Sequence, residues 1–430
     1  MPPIPPISPI SPIPPISPIS PISPISPISP IPSTLQAAHR LLAATLLLSC
    51  LHLPGRASAQ EVPEELRKAM AASQLHYELG VTGPVKKPAA DGLHCPARSS
   101  GLRVVRQADG TKQLQPWRPT DAAAPHFTEA EKQFSAQNYA AAGEEYKKGL
   151  ELDPSYGPGW LYAGDTPFAQ KDFSTALAAY KKALALDPTL AQAHRFAADA
   201  LLNTGKPREA EDEYIKALVF DPSDDGAREG LEVLGVGLGF TVARHEFLPP
   251  QGALGEEEGG KVAIALSPEQ KEWEPYFLCK AIWRNEPTYR RQRLGARAEP
   301  YSWTLNEESE CLVSYLAGNL DAAVARLKAA AARQSKPGAN PPDIPVEQAV
   351  TVMPPLARHL KAVADAGLLT GYALYAILGR RCPVAISLLP DRTQSDLESY
   401  IRRFLIVPTP VPASPAPAAR PKPSSEKSRR

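Results

Sequence analysis

The chain has 430 residues, of which 22% are charged, and its formal net charge at neutral pH is +1. This length allows roughly two or three domains, and the balanced charge excludes a general attraction to nucleic acid or to an anionic membrane surface. Many of the 49 prolines lie at the two ends of the chain. The folded part is therefore predicted to be confined to residues 60–407.

Residues 1–34 form a leader that consists almost entirely of proline, isoleucine and serine. Proline recurs at least every third position in most of this leader, where it removes backbone donors and excludes helices and central strands. The leader is therefore predicted to be an extended, low-complexity segment.

Residues 35–59 have the three zones of a secretory signal. A weakly basic start at His39 and Arg40 is followed by an apolar stretch and by small residues that end at Ala59. The apolar stretch is too short to span a bilayer, so the pattern predicts cleavage after Ala59 and export to the periplasm or the medium. The alternative is a lipoprotein anchored through Cys50.

Residues 60–122 precede the regular part of the chain and contain one alternating stretch, VVRQADGTKQLQ. The Asp-Gly pair in its centre, Asp109 and Gly110, favours a tight turn between two strands. A β-hairpin is therefore predicted within this N-terminal segment.

A nine-residue pattern then occurs three times, as YKKGLELDP, YKKALALDP and YIKALVFDP. Its copies begin at Tyr146, Tyr180 and Tyr214, so they are separated by 34 residues. Small residues recur at fixed distances before and after each tyrosine, and a proline ends each copy. A fixed period of this length is typical of stacked helix pairs. The small residues are Ala142, Ala176, Ala210, Gly149, Ala183 and Ala217.

These positions resemble the tetratricopeptide repeat, and Trp160 corresponds to the aromatic residue of the family's first helix. The resemblance implies three helix-turn-helix units, at residues 123–156, 157–190 and 191–224, that stack into a superhelix. With the predicted signal, it suggests an exported bacterial protein of this type. One departure from the family pattern is Pro167, which is predicted to interrupt the first helix of the second unit. Residues 225–239 are predicted to form a capping helix and a glycine-rich exit.

The rest of the chain is predicted to form a mostly helical C-terminal domain, residues 240–407, with a few short strands. Residues 304–337 are either a degenerate fourth repeat or a plain amphipathic helix. Residues 408–430 have the proline-, alanine- and lysine/arginine-rich composition of a disordered tail. The predicted fold class is therefore mainly α, with a repeat superhelix joined to a second helical domain.

Signal cleavage would leave four cysteines, an even number that suits an oxidising compartment. Cys279 and Cys311 lie in neighbouring helical stretches that can form an antiparallel pair, so they are predicted to form a disulfide. Cys95 and Cys382 would then form the second one. The alternative is that these cysteines are buried free thiols.

No catalytic, cofactor or metal site is predicted. The segment GEEEGGKV, residues 255–262, has the glycine and lysine spacing of a phosphate loop, but Val262 replaces the hydroxyl residue that would bind magnesium. Three glutamates would also lie beside the phosphate. The histidines are scattered, and no two cysteines have the spacing of a metal or redox motif.

The resemblance implies that partners bind in the concave groove, which is lined by the first helix of each unit. Aromatic and apolar side chains would line this groove together with an acidic stripe suited to a basic or amide-rich partner. The alternative is that the acidic residues belong to solvated helix faces. The predicted contacts are Phe127, Glu131, Phe134, Leu161, Tyr162, Asp165, Phe168, Arg195, Phe196 and Asp199.

Two classes of function follow from these expectations. The first is an exported, non-enzymatic scaffold that holds another protein in the cell envelope, without nucleic acid and without a membrane span in the mature chain. The second is an enzyme whose active site lies in residues 240–407 and whose substrate is recruited by the repeats. The enzyme would require a cluster of acids with Cys279, Cys311, His245 and His359.

Overall fold

The computed structural model describes residues 61–79, 85, 87–90, 93, 95, 101–243, 249–295, 300–334, 340 and 342–409. The predicted leader, the predicted signal, nearly all of the predicted tail, and His245 lie outside these residues. The described part is mainly helical, and its strands pair in three small sheets.

The N-terminal segment contains a helix and three short strands. Helix α1 spans Glu61–Ala72 and strand β1 spans His76–Leu79. Strands β2, Leu102–Arg106, and β3, Lys112–Pro116, pair antiparallel where the sequence predicts a hairpin. Asp109 accepts hydrogen bonds from the backbone and hydroxyl of Thr111, and Gly110 has a φ of 82°. The turn therefore uses the one residue type that adopts this conformation without strain.

Six helices follow as three antiparallel pairs, and each pair packs against the next. They are α2 Ala124–Ser135, α3 Tyr139–Leu152, α4 Gly157–Ala169, α5 Phe173–Leu186, α6 Ala191–Asn203 and α7 Pro207–Phe220. Helix α4 continues through Pro167 into its last turn, so the interruption predicted at that residue is wrong. A proline there removes only one hydrogen bond near the C-terminal end of the helix.

The repeated tyrosines and small residues fill the space between paired helices. Tyr146, Tyr180 and Tyr214 are each at most 2% exposed, and the alanines four residues before them are fully buried. A Cβ atom at Gly164 would lie 2.5 Å from the Tyr180 ring, so this position in α4 requires a glycine. Close approach of the two helices in a pair therefore depends on residue size at these positions.

The turns between repeats carry one aspartate each, and two of them bind the N-terminal segment. Asp153 accepts a hydrogen bond from the backbone N–H of Thr120 at 3.0 Å, and Asp187 accepts one from Val104 at 2.9 Å. Trp117 donates to the carbonyl of Ser155 at 3.1 Å. The hairpin and the chain that follows it are therefore fixed along the edge of the repeats where these turns lie.

Helix α8, Asp225–Leu238, covers the end of the repeat array and buries Leu231 and Leu234. It begins at Asp224, whose side chain accepts a hydrogen bond from Ala227, and it ends at Gly239 in the left-handed conformation. These are the usual cap residues of a helix. A helix is thus present where the sequence predicts a cap.

The C-terminal region contains short helices packed around one long helix. Strands β4, Phe240–Val242, and β5, Lys261–Ile264, precede a 3₁₀ segment at Pro268–Trp273. Helices α9 Glu274–Asn285, α10 Pro287–Leu294, α11 Leu305–Gln334, α12 Val346–Thr351 and α13 Pro355–Asp365 follow. Helices α14 Leu369–Ala373, α15 Gly379–Arg381, α16 Pro383–Leu388 and α17 Asp391–Tyr400 complete the region with π-helical turns at Leu374–Leu378 and Ile401–Leu405, and strand β6, Ile406–Pro408.

Helix α11 is continuous over 30 residues. A tetratricopeptide-like unit requires a turn between two helices, so the interpretation of residues 304–337 as a fourth repeat is wrong and the plain helix is correct. The neighbours of α11 also differ from those of a repeat, because this helix packs against α9, α12, α13 and α14 rather than against the repeat array.

The N-terminal segment, which precedes the repeats in the chain, packs against the C-terminal region, which follows them. Strand β1 pairs parallel with β5, Leu66 of α1 is buried in the C-terminal core, and Cys95 forms a disulfide with Cys382. A second disulfide links Cys279 to Cys311, so both predicted pairings are present. No helix within the described ranges is both long and apolar enough to cross a membrane.

Candidate partner-binding groove

Three carboxylates at equivalent repeat positions form a stripe along α2, α4 and α6. Each accepts a hydrogen bond from the tyrosine that follows it by 15 residues in the same repeat. The three bonds are Tyr146 to Glu131 at 2.6 Å, Tyr180 to Asp165 at 2.9 Å and Tyr214 to Asp199 at 2.5 Å. The carboxylates keep partial exposure, whereas the tyrosine rings are buried. The stripe is therefore held in position by the same tyrosines that pack the repeats.

Burial changes the protonation of this stripe. Burial, together with the neighbouring Glu131 and Asp199, raises the pKa of Asp165 to about 7, although Tyr180 and Arg195 oppose the shift. Burial also raises the pKa of Glu131 and of Asp199. Because a raised pKa lowers the ionised fraction of a carboxylate, the negative charge at Asp165 changes with pH around 7.

Three of the predicted partner contacts are core residues. Phe127, Leu161 and Phe196 are 7%, 3% and 6% exposed, and they pack within the repeats. The Phe127 ring lies 5.0 Å from that of Tyr156, and the Phe196 ring lies 5.7 Å from that of Tyr180. These three side chains therefore belong to the core of the repeats, and they offer a partner almost no surface.

Two further aromatic residues contact the second helix of their own repeat. The ring of Phe134 meets that of Tyr139 edge-on at 5.4 Å, and Phe168 meets Phe173 in the same way at 5.2 Å. Both remain partly exposed. These equivalent pairs close the turn between the two helices of a repeat and leave one edge of each ring accessible.

Arg195 is the only basic residue among the predicted contacts. Its guanidinium lies 4.4 Å from the Phe196 ring centre, and its Nε atom lies 3.3 Å from Asp224. Tyr162 and Arg195 are both partly exposed. The partly exposed residues among the predicted contacts are therefore three acidic, three aromatic and one basic: Glu131, Asp165, Asp199, Phe134, Tyr162, Phe168 and Arg195.

The residues that an enzyme in the C-terminal region was expected to use are engaged elsewhere. Cys279 and Cys311 are bonded to each other and provide no thiol. His359 contacts the Tyr400 hydroxyl at 3.3 Å and packs against the ring of Phe404. Over the residues that the structure describes, no group of three or more histidine, cysteine, aspartate or glutamate side chains is arranged to hold a metal ion.

The segment GEEEGGKV forms a turn that leads into strand β5. Gly259 and Gly260 have positive φ angles, and Lys261 forms an ion pair with Glu78 of strand β1 at 2.7 Å. A phosphate loop requires the N-terminus of a helix after its lysine. This segment therefore lacks the geometry of a nucleotide site.

Part of the repeat region matches a known protein family. Residues 168–229 match the family model of the tetratricopeptide repeat. No curated protein sequence matches the chain.

Solved structures resemble about a quarter of the chain. The first repeat domain of Spaghetti (RPAP3) bound to an HSP90 peptide is 24% identical over 28% of this chain and 94% of its own, with a TM-score of 0.27. The Yersinia enterocolitica type III secretion chaperone SycD with a YopD peptide is 19% identical over 28% and 96%, with a TM-score of 0.27. The Arabidopsis OM64 repeat domain is 16% identical over 28% and 99%, also with a TM-score of 0.27.

Proposed function

We propose that this tetratricopeptide repeat protein is an exported, non-enzymatic scaffold that holds a basic or amide-rich segment of another protein in the groove formed by α2, α4 and α6. Tetratricopeptide repeats support a role in protein interaction. The observation that carries the proposal is the stripe of Glu131, Asp165 and Asp199, which are partly exposed and fixed by tyrosine hydroxyls.

The chemistry of the stripe favours a cationic or amide-bearing partner. Each tyrosine donates to one carboxylate oxygen, and a carboxylate has about four acceptor sites in total. Lysine, arginine and amide groups donate hydrogen bonds to such acceptors, and charged donors form the stronger ones. Contacts with Phe134, Tyr162, Phe168 and Arg195 would bury apolar surface of the bound segment and fix its position along the groove. The buried side chains of Phe127, Leu161 and Phe196 would hold these residues in position.

The pKa of Asp165 gives a specific expectation. A bound cation favours the ionised carboxylate, so a basic peptide that binds beside Asp165 must displace the proton that is present below a pH of about 7. Affinity should therefore increase as the pH rises from 6 to 8. This direction is opposite to that expected for an acidic peptide.

A peptide selection tests the proposal and requires no identified partner. A random peptide library is selected on the mature chain and on the Asp165→Asn/Asp199→Asn variant, which retains an acceptor for each tyrosine but lacks the two charges. We expect the wild type to enrich lysine, arginine, asparagine and glutamine, and the enriched peptides to bind the variant at least about 10-fold more weakly. Their affinity for the variant should also lose most of its pH dependence.

An Asp172→Asn variant is the matched control, because Asp172 caps α5 outside the groove. The proposal fails if the wild type enriches peptides without basic or amide residues. It also fails if the double variant binds the selected peptides as tightly as the wild type does, while thermal unfolding confirms that both are folded.

Export is supported by the two disulfides, because disulfides persist mainly in oxidising compartments. The N-terminal peptide of the exported chain, identified by mass spectrometry, tests the route. We expect a first residue of Gln60, as cleavage after Ala59 requires, and no lipid on Cys50. A peptide from the proline-rich leader in the exported chain would contradict cleavage at this position.

A further inference from the structure

A cavity of about 440 Å³ lies in the C-terminal region, away from the repeat groove. Residues 88–90 and 249–254 form one side of it, and α9 and the segment from Leu374 to Arg381 form the other. Its volume falls within the range of about 300–1,000 Å³ that is typical of small-molecule sites. Four basic side chains line this cavity, whereas Glu308 is the single acidic one among the lining residues.

A buried ion cluster forms the floor of the cavity. The ammonium group of Lys280 contacts both Glu307 and Glu308, and Glu308 also accepts hydrogen bonds from Tyr276 at 2.6 Å and from Trp303 at 2.9 Å. Burial opposes the charge on Lys280, but the two glutamates outweigh it and raise the pKa of Lys280. The charge on Lys280 is thereby compensated by Glu307 and Glu308, and burial raises the pKa of Glu307, which disfavours a second negative charge in the cluster.

The positive charge that remains belongs to arginines. Arg284 lies 5.3 Å from the ring centre of Tyr301 and donates to the carbonyl of Ala90. Its carboxylate neighbour is Glu256 at 3.8 Å, whose side chain is 47% exposed. Arg380 lies within α15 and is exposed. Positive charge beside a largely apolar wall concentrates the field in a cleft and attracts anions.

Both disulfides brace this cavity. Cys279 directly precedes Lys280, and its bond to Cys311 ties α9 to the part of α11 that carries Glu308. Cys382 follows the arginines of α15, and its bond to Cys95 ties them to the segment that supplies residues 88–90. Rigid support of this kind is what a preorganised binding site needs, because it lowers the entropy lost on binding.

We propose that this cavity binds a small organic anion, with a carboxylate or phosphate group held by Arg284 and Arg380 and an apolar body against Phe277 and Ile377. Guanidinium groups match both anions in geometry, since they donate two parallel hydrogen bonds. The ion cluster of Lys280, Glu307 and Glu308 forms the floor of the site. This site is separate from the repeat groove and from the partner proposed for it.

Isothermal titration of the disulfide-intact mature chain tests this proposal with phenyl phosphate and benzoate as probes. Benzamide and phenol serve as uncharged comparators of similar shape. We expect at least one anion to bind and the uncharged compounds to bind at least about 10-fold more weakly, because a charge-assisted hydrogen bond would be lost. The tighter of the two anions identifies whether the group recognised is a phosphate or a carboxylate.

Two variants locate the binding. Arg380→Gln and Arg284→Gln should each weaken binding by about 10-fold or more, whereas Arg403→Gln, an exposed arginine beside the Phe404 ring, should leave it unchanged. The proposal is overturned if neither anion binds the wild type, if the uncharged compounds bind equally well, or if Arg380→Gln retains wild-type affinity. Because Arg380 is exposed, its loss does not threaten the fold, which a melting curve checks.

Discussion

At the scale of single residues, one position of the repeat contacts the carbonyl of the repeat proline with a different side chain in each copy. The side chains of Trp160, His194 and Arg228 are 34 residues apart, and each contacts the carbonyl of the proline six residues earlier, at 2.9, 3.0 and 3.3 Å. His194 also contacts Glu213 at 2.6 Å through its other ring nitrogen. Because a carboxylate and a carbonyl only accept, both contacts are hydrogen bonds only when both ring nitrogens carry a proton.

Glu213 gives a pH-dependent prediction at this scale. Burial would raise the pKa of Glu213, but hydrogen bonds from His194 and Lys216 outweigh it and lower the pKa to about 2. A lowered pKa means that the folded state favours the carboxylate, so its stabilisation is present above a pH of about 4.5 and is lost as the pH falls towards 2. Glu213→Gln should therefore lower the free energy of unfolding by about 1–3 kcal/mol at pH 7 and by about half of that or less at pH 3, as measured by urea denaturation.

The first repeat supplies a matched control for this measurement. His126 and Glu145 occupy the equivalent positions and also form a contact, at 2.7 Å, but His126 is 33% exposed whereas His194 is 7% exposed. Solvent screens exposed pairs, so Glu145→Gln should have the smaller effect at pH 7. Equal losses in the two variants, or a loss in Glu213→Gln that is undiminished at pH 3, would contradict the assignment.

The residues of the candidate groove were partly predictable from sequence. An acidic residue stands 15 positions before each repeated tyrosine, and this constant spacing was the available signal for the tyrosine–carboxylate bonds. Burial of Phe127, Leu161 and Phe196 was not predictable, because a first helix packs against its own partner helix and, for α4 and α6, also against the second helix of the preceding repeat. The alternation of residues along one helix does not reveal how much surface two neighbours remove.

At the scale of elements, the turn within each repeat requires a left-handed residue. The φ angles of Gln137, Lys171 and Gly205 are 62°, 65° and 75°, and these residues are 34 apart. Glycine adopts such angles freely, whereas other residues pay about 1–2 kcal/mol for them. Two of the three repeats therefore hold a residue that is strained at this position.

Lys171→Gly should stabilise the second repeat. Relief of the left-handed strain exceeds the entropy that a glycine loses on folding, so the free energy of unfolding should rise by about 0.5–1 kcal/mol. Gly205→Ala is the converse control and should lower it by about 1 kcal/mol. Both are measured by chemical denaturation at pH 7. A loss of stability in Lys171→Gly would indicate that contacts of the lysine side chain outweigh the strain.

Sequence predicted the elements whose stability is local and failed where distant segments meet. The repeats were predictable because each 34-residue unit packs on its neighbours in the chain. Pairing of β1 with β5 and burial of Leu66 in the C-terminal core depend on residues almost 200 positions away, and no periodicity records such contacts. The long helix α11 has the small-residue spacing of a repeat, and only its tertiary neighbours determined that it stays unbroken.

At the scale of the whole molecule, segments on both sides of the repeats in the chain contact each other. Strand β1 and Cys95 pair and cross-link with the C-terminal region, and the hairpin reaches both the repeat turns and α17, where Arg106 and Lys112 bind Asp391. The core is continuous from the third repeat into the C-terminal region. The repeats are therefore expected to unfold together with the C-terminal region rather than as an independent domain.

The two disulfides should contribute unequally to this unit. Cys95 and Cys382 are separated by 287 residues, and Cys279 and Cys311 by 32. A cross-link that closes a longer loop removes more entropy from the unfolded chain, and the chain-entropy estimate gives a difference of about 2 kcal/mol. Cys95→Ala/Cys382→Ala should thus lower the free energy of unfolding more than Cys279→Ala/Cys311→Ala does, in urea denaturation under oxidising conditions. Repeating the measurement with reductant is the control, because the difference between the two variants should then largely disappear. If removal of the Cys279–Cys311 disulfide lowered the free energy of unfolding more, the main stabilisation would instead come from native contacts around α9 and α11.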